Sequence, residues 1–182
     1  MRSFVGLPLP DAALDALEHV QEGVTAGRLV AAENMHLTLA FLDDQPEAAL
    51  QALHQALSEI SAQPLQMTFH GLDSYGGKRP RVLAAEVQKT SELAHLRDRV
   101  RSACRQAGIE LSRERFRPHV TLARFPRHLE AGQVEKVARF LSEAAGFRLE
   151  CEVEAFALFQ STLAPDGARY DVLAEYPLKK PG

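Results

Sequence analysis

The sequence predicts an α+β fold: two pseudo-symmetric lobes of antiparallel sheet, helices on their outer faces, and a groove between them. Three observations carry that expectation. Strand-like and helix-like stretches are interleaved, yet the strands alternate apolar and polar residues, whereas a parallel sheet buried on both faces reads as continuous apolar runs. A short unit, His-x-Thr-x, occurs twice inside apolar runs, as His36-Leu37-Thr38-Leu39 and as His119-Val120-Thr121-Leu122. No low-complexity linker separates the copies, so the halves are expected to pack as one bilobal domain over residues 1–182.

Taken in order, Ser3 to Leu7 reads as a strand stopped by Pro8 and Pro10, since proline cannot continue a central ladder. From Asp11, the residues Leu14, Leu17 and Val20 recur at helical spacing and Gly23 supplies a stop. Arg28 to Ala31 is a short strand leading into the first motif strand, His36 to Leu42. Asp44, Pro46 and Glu47 then have the chemistry of a cap, a first turn and a capping box. They precede a helix with Leu50, Leu53, Leu57 and Ile60 on one face.

Leu65 to Leu72 and Arg81 to Val87 read as strands joined by an Asp73 to Pro80 loop, whose glycines permit positive φ. A helix is expected from Ser91 to Ala107, with Leu93, Leu96, Val100 and Cys104 inward and Gly108 at its end. Strands come next over Ile109 to Ser112 and Pro118 to Phe125, then a helix from Glu130 to Glu143. Two long strands close the chain, Phe147 to Gln160 and Arg169 to Leu178, joined through Pro165-Asp166-Gly167.

Composition bounds the function classes. An apolar content of 46%, a charged content of 25% and a net charge of −3 describe an ordinary globular protein with no global pull toward a polyanion, so any such partner must meet a local patch. The two cysteines, Cys104 and Cys151, lack metal-ligand spacing and read as apolar-like thiols in a reducing cytosol. No run approaches a membrane span and the first residues do not read as a secretion signal. A cytoplasmic monomer with no membrane partner is expected.

In a strand, residues i and i+2 share a face, so each motif presents an imidazole beside a hydroxyl while Leu37, Leu39, Val120 and Leu122 point to the core. Two imidazoles on opposite sides of a substrate can serve as base and acid in one displacement, because one can be neutral and the other protonated near neutrality. For a phosphodiester that suffices without a metal: one ring takes a proton from attacking water and the other protonates the departing oxygen. Thr38 and Thr121 are placed to donate to the non-bridging oxygens, although either threonine also suits a strand by propensity alone. Neither motif carries a third His or a carboxylate on its own face within two residues. No metal site and no cofactor are expected.

Substrate contacts are sought in the basic stretch from Arg97 to Arg127. Arg113, Arg115 and Arg117 directly precede the second motif and are placed to reach an RNA backbone. Arg124 lies, by strict alternation, on the face opposite His119, and joins the site only if the strand ends, twists or bulges after Leu122. Phe125 shares the His119 face by parity, and Tyr75 sits in the glycine-rich loop. Both are candidates for stacking on a base, and both read equally well as packing residues.

With these residues in view, the sequence resembles the 2H phosphoesterase superfamily. More narrowly it is similar to the bacterial and archaeal RNA 2′,3′-cyclic phosphodiesterases, also known as 2′-5′ RNA ligases. The resemblance runs nearly end to end, through Arg2-Ser3-Phe4-Val5-Gly6-Leu7-Pro8, Glu33-Asn34-Met35-His36-Leu37-Thr38-Leu39-Ala40-Phe41-Leu42, Phe116-Arg117-Pro118-His119-Val120-Thr121-Leu122-Ala123-Arg124, Phe159-Gln160-Ser161 and Gly167-Ala168-Arg169-Tyr170.

The resemblance implies the bilobal fold with the motifs facing each other across a central groove. It implies metal-free hydrolysis of an RNA-terminal 2′,3′-cyclic phosphate to a 2′-phosphate, with His36 donating a proton to the departing 3′ oxygen, His119 activating water, and Thr38 and Thr121 holding the phosphate. Some members also join tRNA half-molecules through a 2′-5′ linkage. This sequence departs from the pattern in having Asp43 where glycine is common, and Leu29 near where an aromatic residue is frequent. Action on a small cyclic nucleotide or a 2′-5′-linked oligonucleotide, and non-catalytic RNA binding, remain open beside the leading reading.

Overall fold

The computed structural model of the chain describes residues 1–180. Among these residues, four α-helices and nine strands fold into an α+β arrangement. In chain order the elements are β1 (Arg2–Pro8), α1 (Asp11–Gln21), β2 (Arg28–Leu29), a 3-10 turn (Ala32–Asn34), β3 (His36–Asp44), α2 (Glu47–Ser58), β4 (Leu65–Tyr75), β5 (Val82–Val87), α3 (Ser91–Gln106), β6 (His119–Arg124), α4 (Ala131–Glu143), β7 (Arg148–Val153), β8 (Ala155–Ala164) and β9 (Gly167–Pro177).

The strands make one sheet in the order β7-β4-β5-β6-β3-β1-β8-β9, with β2 paired to β6, and every pairing is antiparallel. The two expected lobes are the halves of this sheet. They meet at the two motif strands, β3 and β6, through one residue pair, Leu37 opposite Val120. Outward from that seam each half continues through three further strands.

One face of the sheet is the core. Val5, Leu7, Leu37, Leu39, Leu42, Val120, Leu122, Phe156 and Leu158 pack there against Leu17 of α1, Leu53 and Leu57 of α2, and Leu93, Leu96 and Val100 of α3. These buried stripes are the ones that the 3.6-residue period marks out. A smaller cluster on the same side joins Leu83, Ala123 and Phe125 to Leu129 and Val137 under α4. Cys104 is buried in the main core, and burial pushes its thiol up to about 11. Among the described residues no helix is long and apolar enough to cross a membrane.

Four local expectations are corrected. The long strand expected from Phe147 to Gln160 is broken at Glu154: β7 pairs with β4 in one half, whereas β8 pairs with β1 in the other. The half-exposed alternation of β7 and the consecutively buried Ala155 to Phe159 are the trace of that switch. β4 runs on through Asp73, Ser74 and Tyr75, so Tyr75 ends a strand instead of sitting in the loop.

Ile109 to Ser112 forms no ladder; Arg101 of α3 donates to the Ser112 carbonyl, and Arg97 to that of Glu114 just beyond. Asp44 and Glu47 do not cap α2 as a box. The N-cap is Pro46, without a side-chain hydrogen bond, and Asp44 is the last residue of β3.

Candidate active site

The seam sets the geometry. Continuing the Leu37–Val120 register by one residue each way brings His36 opposite Thr121 and Thr38 opposite His119, an approximate twofold arrangement. Both strands then bulge at the same place. Gly6 pairs with Thr38 but Val5 with Ala40, leaving Leu39 extra; Ala84 pairs with Thr121 but Leu83 with Ala123, leaving Leu122 extra. A bulge puts two successive side chains on one face and reverses the parity of the residues beyond it. Leu39 with Ala40, and Leu122 with Ala123, are accordingly all buried.

That reversal settles the two residues whose orientation depends on alternation. Arg124 comes back to the motif face, exposed and near enough for its charge to be felt at His36. Phe125 is turned into the core, 4% exposed beside Ala26, Leu83, Leu129 and Val137, so the expectation of a stacking platform there is corrected. Its ring lies where a Cβ on Gly27 would be 2.4 Å from Cδ1, and Gly27 has φ of +78°. Only glycine fits that corner.

Both imidazoles are held by the same device. His36 Nδ1 lies 2.8 Å from the carbonyl oxygen of Asn34, and His119 Nδ1 lies 2.7 Å from that of Arg117. A carbonyl only accepts, so Nδ1 carries the proton in each ring and Nε2 is the nitrogen left for chemistry. Thr38 Oγ1 lies 2.9 Å from His36 Nε2, and donates to it when the ring is neutral. Each ring also meets a tyrosine edge-on, Tyr170 at 5.2 Å from His36 and Tyr75 at 4.9 Å from His119.

The surroundings then diverge. His36 stacks on Phe4 at 4.4 Å, with Phe159 completing an apolar wall. Gly6 makes room for this, since a Cβ there would come within 3.3 Å of the His36 ring and 2.9 Å of the Leu37 carbonyl. Burial, aided by the charges of Arg124 and His119 and opposed by the Asn34 hydrogen bond, lowers the His36 pKa to about 4.

His119 stands beside a charged cluster instead. Glu86 is its cross-strand partner, Tyr75 Oη donates to Glu86 Oε1 at 2.9 Å, and Arg117 Nη2 donates to Asp73 at 2.7 Å and to Glu86 at 2.8 Å. The Arg117 guanidinium also covers the Tyr75 ring at 4.2 Å. Burial and the Glu86 contact push the Tyr75 hydroxyl above its ordinary range, so it remains a donor.

Of the residues singled out in the sequence, His36, His119, Thr38, Thr121, Arg124 and Tyr75 thus come to one face at the seam. Arg117 is there too, but its guanidinium holds two carboxylates and a ring. Phe4, Phe159, Glu86 and Asp73 are the neighbours that sequence reasoning did not select. They come from strands remote in sequence, and only Gly6, a glycine inside a strand pattern, flags the close approach.

No group of three or more His, Cys, Asp or Glu side chains among the described residues is arranged to hold a metal ion.

Comparison with known proteins identifies the family. The family model described as the 2′-5′ RNA ligase superfamily matches residues 9–164. A protein of Archaeoglobus fulgidus named RNA 2′,3′-cyclic phosphodiesterase is 31% identical, with 93% of this chain and 96% of that protein covered. One of Thermus thermophilus with the same name is 33% identical, with 98% of this chain and 91% of that protein covered.

Among solved structures, E. coli LigT complexed with 3′-AMP superposes with a TM-score of 0.80 at 27% identity over 98% of each chain. The Thermus thermophilus protein TT0787 does so with 0.79 at 27% identity and the same coverage. Matched over most of its length by the family model and by relatives above 30% identity, the chain belongs to the 2′-5′ RNA ligase superfamily.

Proposed function

We propose that the protein is a hydrolase, an RNA 2′,3′-cyclic phosphodiesterase that opens a terminal cyclic phosphate to a 2′-phosphomonoester by a metal-independent, two-histidine mechanism. The observation that carries this reading is the approximate twofold pairing of two His-x-Thr units with both Nδ1 atoms tied to carbonyls. The names of its relatives support the substrate.

His119 Nε2 takes a proton from water as its oxygen bonds to phosphorus. The bond between phosphorus and the 3′ oxygen breaks, and His36 Nε2 delivers a proton to that oxygen. Thr38 and Thr121 meet the charge on the non-bridging oxygens. Burial and the nearby charges hold the His36 ring neutral, so its proton arrives with the substrate, whose negative charge offsets Arg124 and His119. Tyr75 and Arg117 act on His119 as positioning residues.

The test is product mapping on a short RNA ending in a 2′,3′-cyclic phosphate, with and without chelator. A 2′-phosphate formed at an undiminished rate in chelator is expected. A 3′-phosphate would reverse the assignment of His36, and loss of activity on chelation would sink the metal-free account. Faster turnover of 2′-5′-linked oligoadenylate would move the assignment to that substrate, and binding of RNA without any turnover would make the protein a binding module.

A further inference from the structure

Arg28 is the residue to which the mechanism gives no part. It lies on β2 directly opposite Arg124 of β6, and cross-strand partners in an antiparallel ladder project from the same face. Two like charges so placed repel each other. No carboxylate relieves them: on its other side Arg124 faces Val82 of β5, and among the described residues neither arginine has an acidic partner within 4.0 Å. Both side chains are exposed. By contrast Arg117, at the other motif, has two carboxylates.

The location is equally specific. Arg28 Nη1 is 3.5 Å from where a Cβ on Gly167 would stand, which lays the guanidinium along the β8–β9 turn. The next carbonyl, that of Ala168, accepts from Asn34 Nδ2, and Asn34 in turn holds His36. The two cross-strand arginines therefore border the His36 end of the seam, where Arg124 already acts on the ring. A planar guanidinium recognises phosphate oxygens through fixed, charge-assisted hydrogen bonds, and two arginines on facing strands without counter-charge suit an anion beyond the one being cleaved.

We propose that Arg28 and Arg124 clamp a second phosphate of the substrate, the internucleotide phosphate on the 5′ side of the terminal nucleotide. The clamp selects an RNA end over a mononucleoside 2′,3′-cyclic phosphate. This rests on the cyclic phosphodiesterase reading for the identity of the terminal group, but not for the clamp itself.

The experiment compares three substrates: adenosine 2′,3′-cyclic phosphate, the adenylyl-adenosine dinucleotide ending in the same cyclic phosphate, and that dinucleotide with a neutral methylphosphonate linkage. The wild-type protein should prefer the charged dinucleotide over the other two by about tenfold or more in kcat/KM, mostly through KM. Arg28→Ala should shrink that preference to within about twofold and lower the salt slope by about one, with Arg28→Lys intermediate. Equal rates on charged and neutral linkages in the wild type would overturn the clamp. So would an Arg28→Ala defect of the same size on the mononucleoside and the dinucleotide.

Calorimetric titration of the two dinucleotides bearing a terminal 2′-phosphate, one per linkage, separates the two ideas. If no cyclic substrate is turned over, yet Arg28→Ala weakens binding of the charged form about tenfold and spares the neutral one, the phosphodiesterase reading falls and the clamp stands. Binding indifferent to Arg28 overturns it.

Discussion

His36 lies flat on Phe4 in a pocket walled by Phe159 and Tyr170, whereas His119 stands beside Glu86 in a cluster of two carboxylates, a guanidinium and a hydrogen-bonded tyrosine. The strands that carry them are nearly the same: an Nδ1–H bonded to the carbonyl two residues back, a threonine two residues on, and a bulge at the following leucine. Matched backbones therefore orient two rings alike, and the neighbouring strands give them different surroundings. A chemically symmetric motif can in this way support an asymmetric reaction.

The largest effect expected is on activity. His36→Ala and His119→Ala should each lower kcat/KM on a cyclic-phosphate RNA by about 10²–10⁴-fold, and the double variant should lose far less than the product of the two. If one single variant keeps near-full activity, the two halves do not act as a pair.

The bulges can be broken next. If the second strand reverses parity at Leu122, Phe125→Ala removes a core ring and should cost about 3–5 kcal/mol in urea denaturation. Phe41, at the place in the first motif that Arg124 takes in the second, is 44% exposed, and Phe41→Ala should stay within about 1 kcal/mol. Equal costs would mean that the two strands are not built alike.

Burial of His36 has a signature of its own. The unfolded ring titrates near its ordinary 6.5 and the folded ring near 4. Between these values the unfolded chain binds more protons, so stability falls as pH drops through that window. The loss approaches about 3 kcal/mol at most, near the lower end. His36→Gln should flatten this part of the stability curve. A wild-type curve already flat from 6.5 to 4 would mean that burial does not hold the His36 ring neutral.

A smaller contrast concerns the two edge-on tyrosines. The Tyr75 hydroxyl donates to Glu86 beside His119, so Tyr75→Phe should lower kcat/KM about three- to tenfold and move the pH profile. Tyr170→Phe keeps the ring edge against His36 and should change kcat/KM by less than about twofold. The reverse ranking would place the sensitive contact in the His36 half.

The motifs, the helical stripes and the α+β class were legible because each follows a local period that burial enforces. The features that escaped depend on breaks in period or on strands far apart. Leu-Ala follows His-x-Thr in both copies, and such an apolar doublet marks a bulge as readily as a strand end; strict alternation points Arg124 away and Phe125 in, and the bulge reverses both. Glu154 looks like one more polar position in a long strand, although the chain changes halves of the sheet there. Arg117 looks free to meet RNA because Asp73 and Glu86, its partners, lie on β4 and β5. Long-range register has no local period to betray it.

The smallest difference lies where the strands end. β6 stops at Arg124, but β3 passes a second bulge at Leu42 and reaches Asp43 with φ of +58°. That region disfavours an L side chain, although aspartate tolerates it better than most. Asp43 gives back little, since its pair with Arg2 at 3.9 Å is exposed on both sides. Asp43→Gly should therefore raise stability by about 0.5 kcal/mol, the relief of strain being partly cancelled by the freer unfolded chain, while Asp43→Ala should lower it by about 1 kcal/mol. Thermal denaturation of the two variants gives opposite signs if backbone conformation governs the site. Equal losses in both would instead assign the effect to the carboxylate and its contact with Arg2.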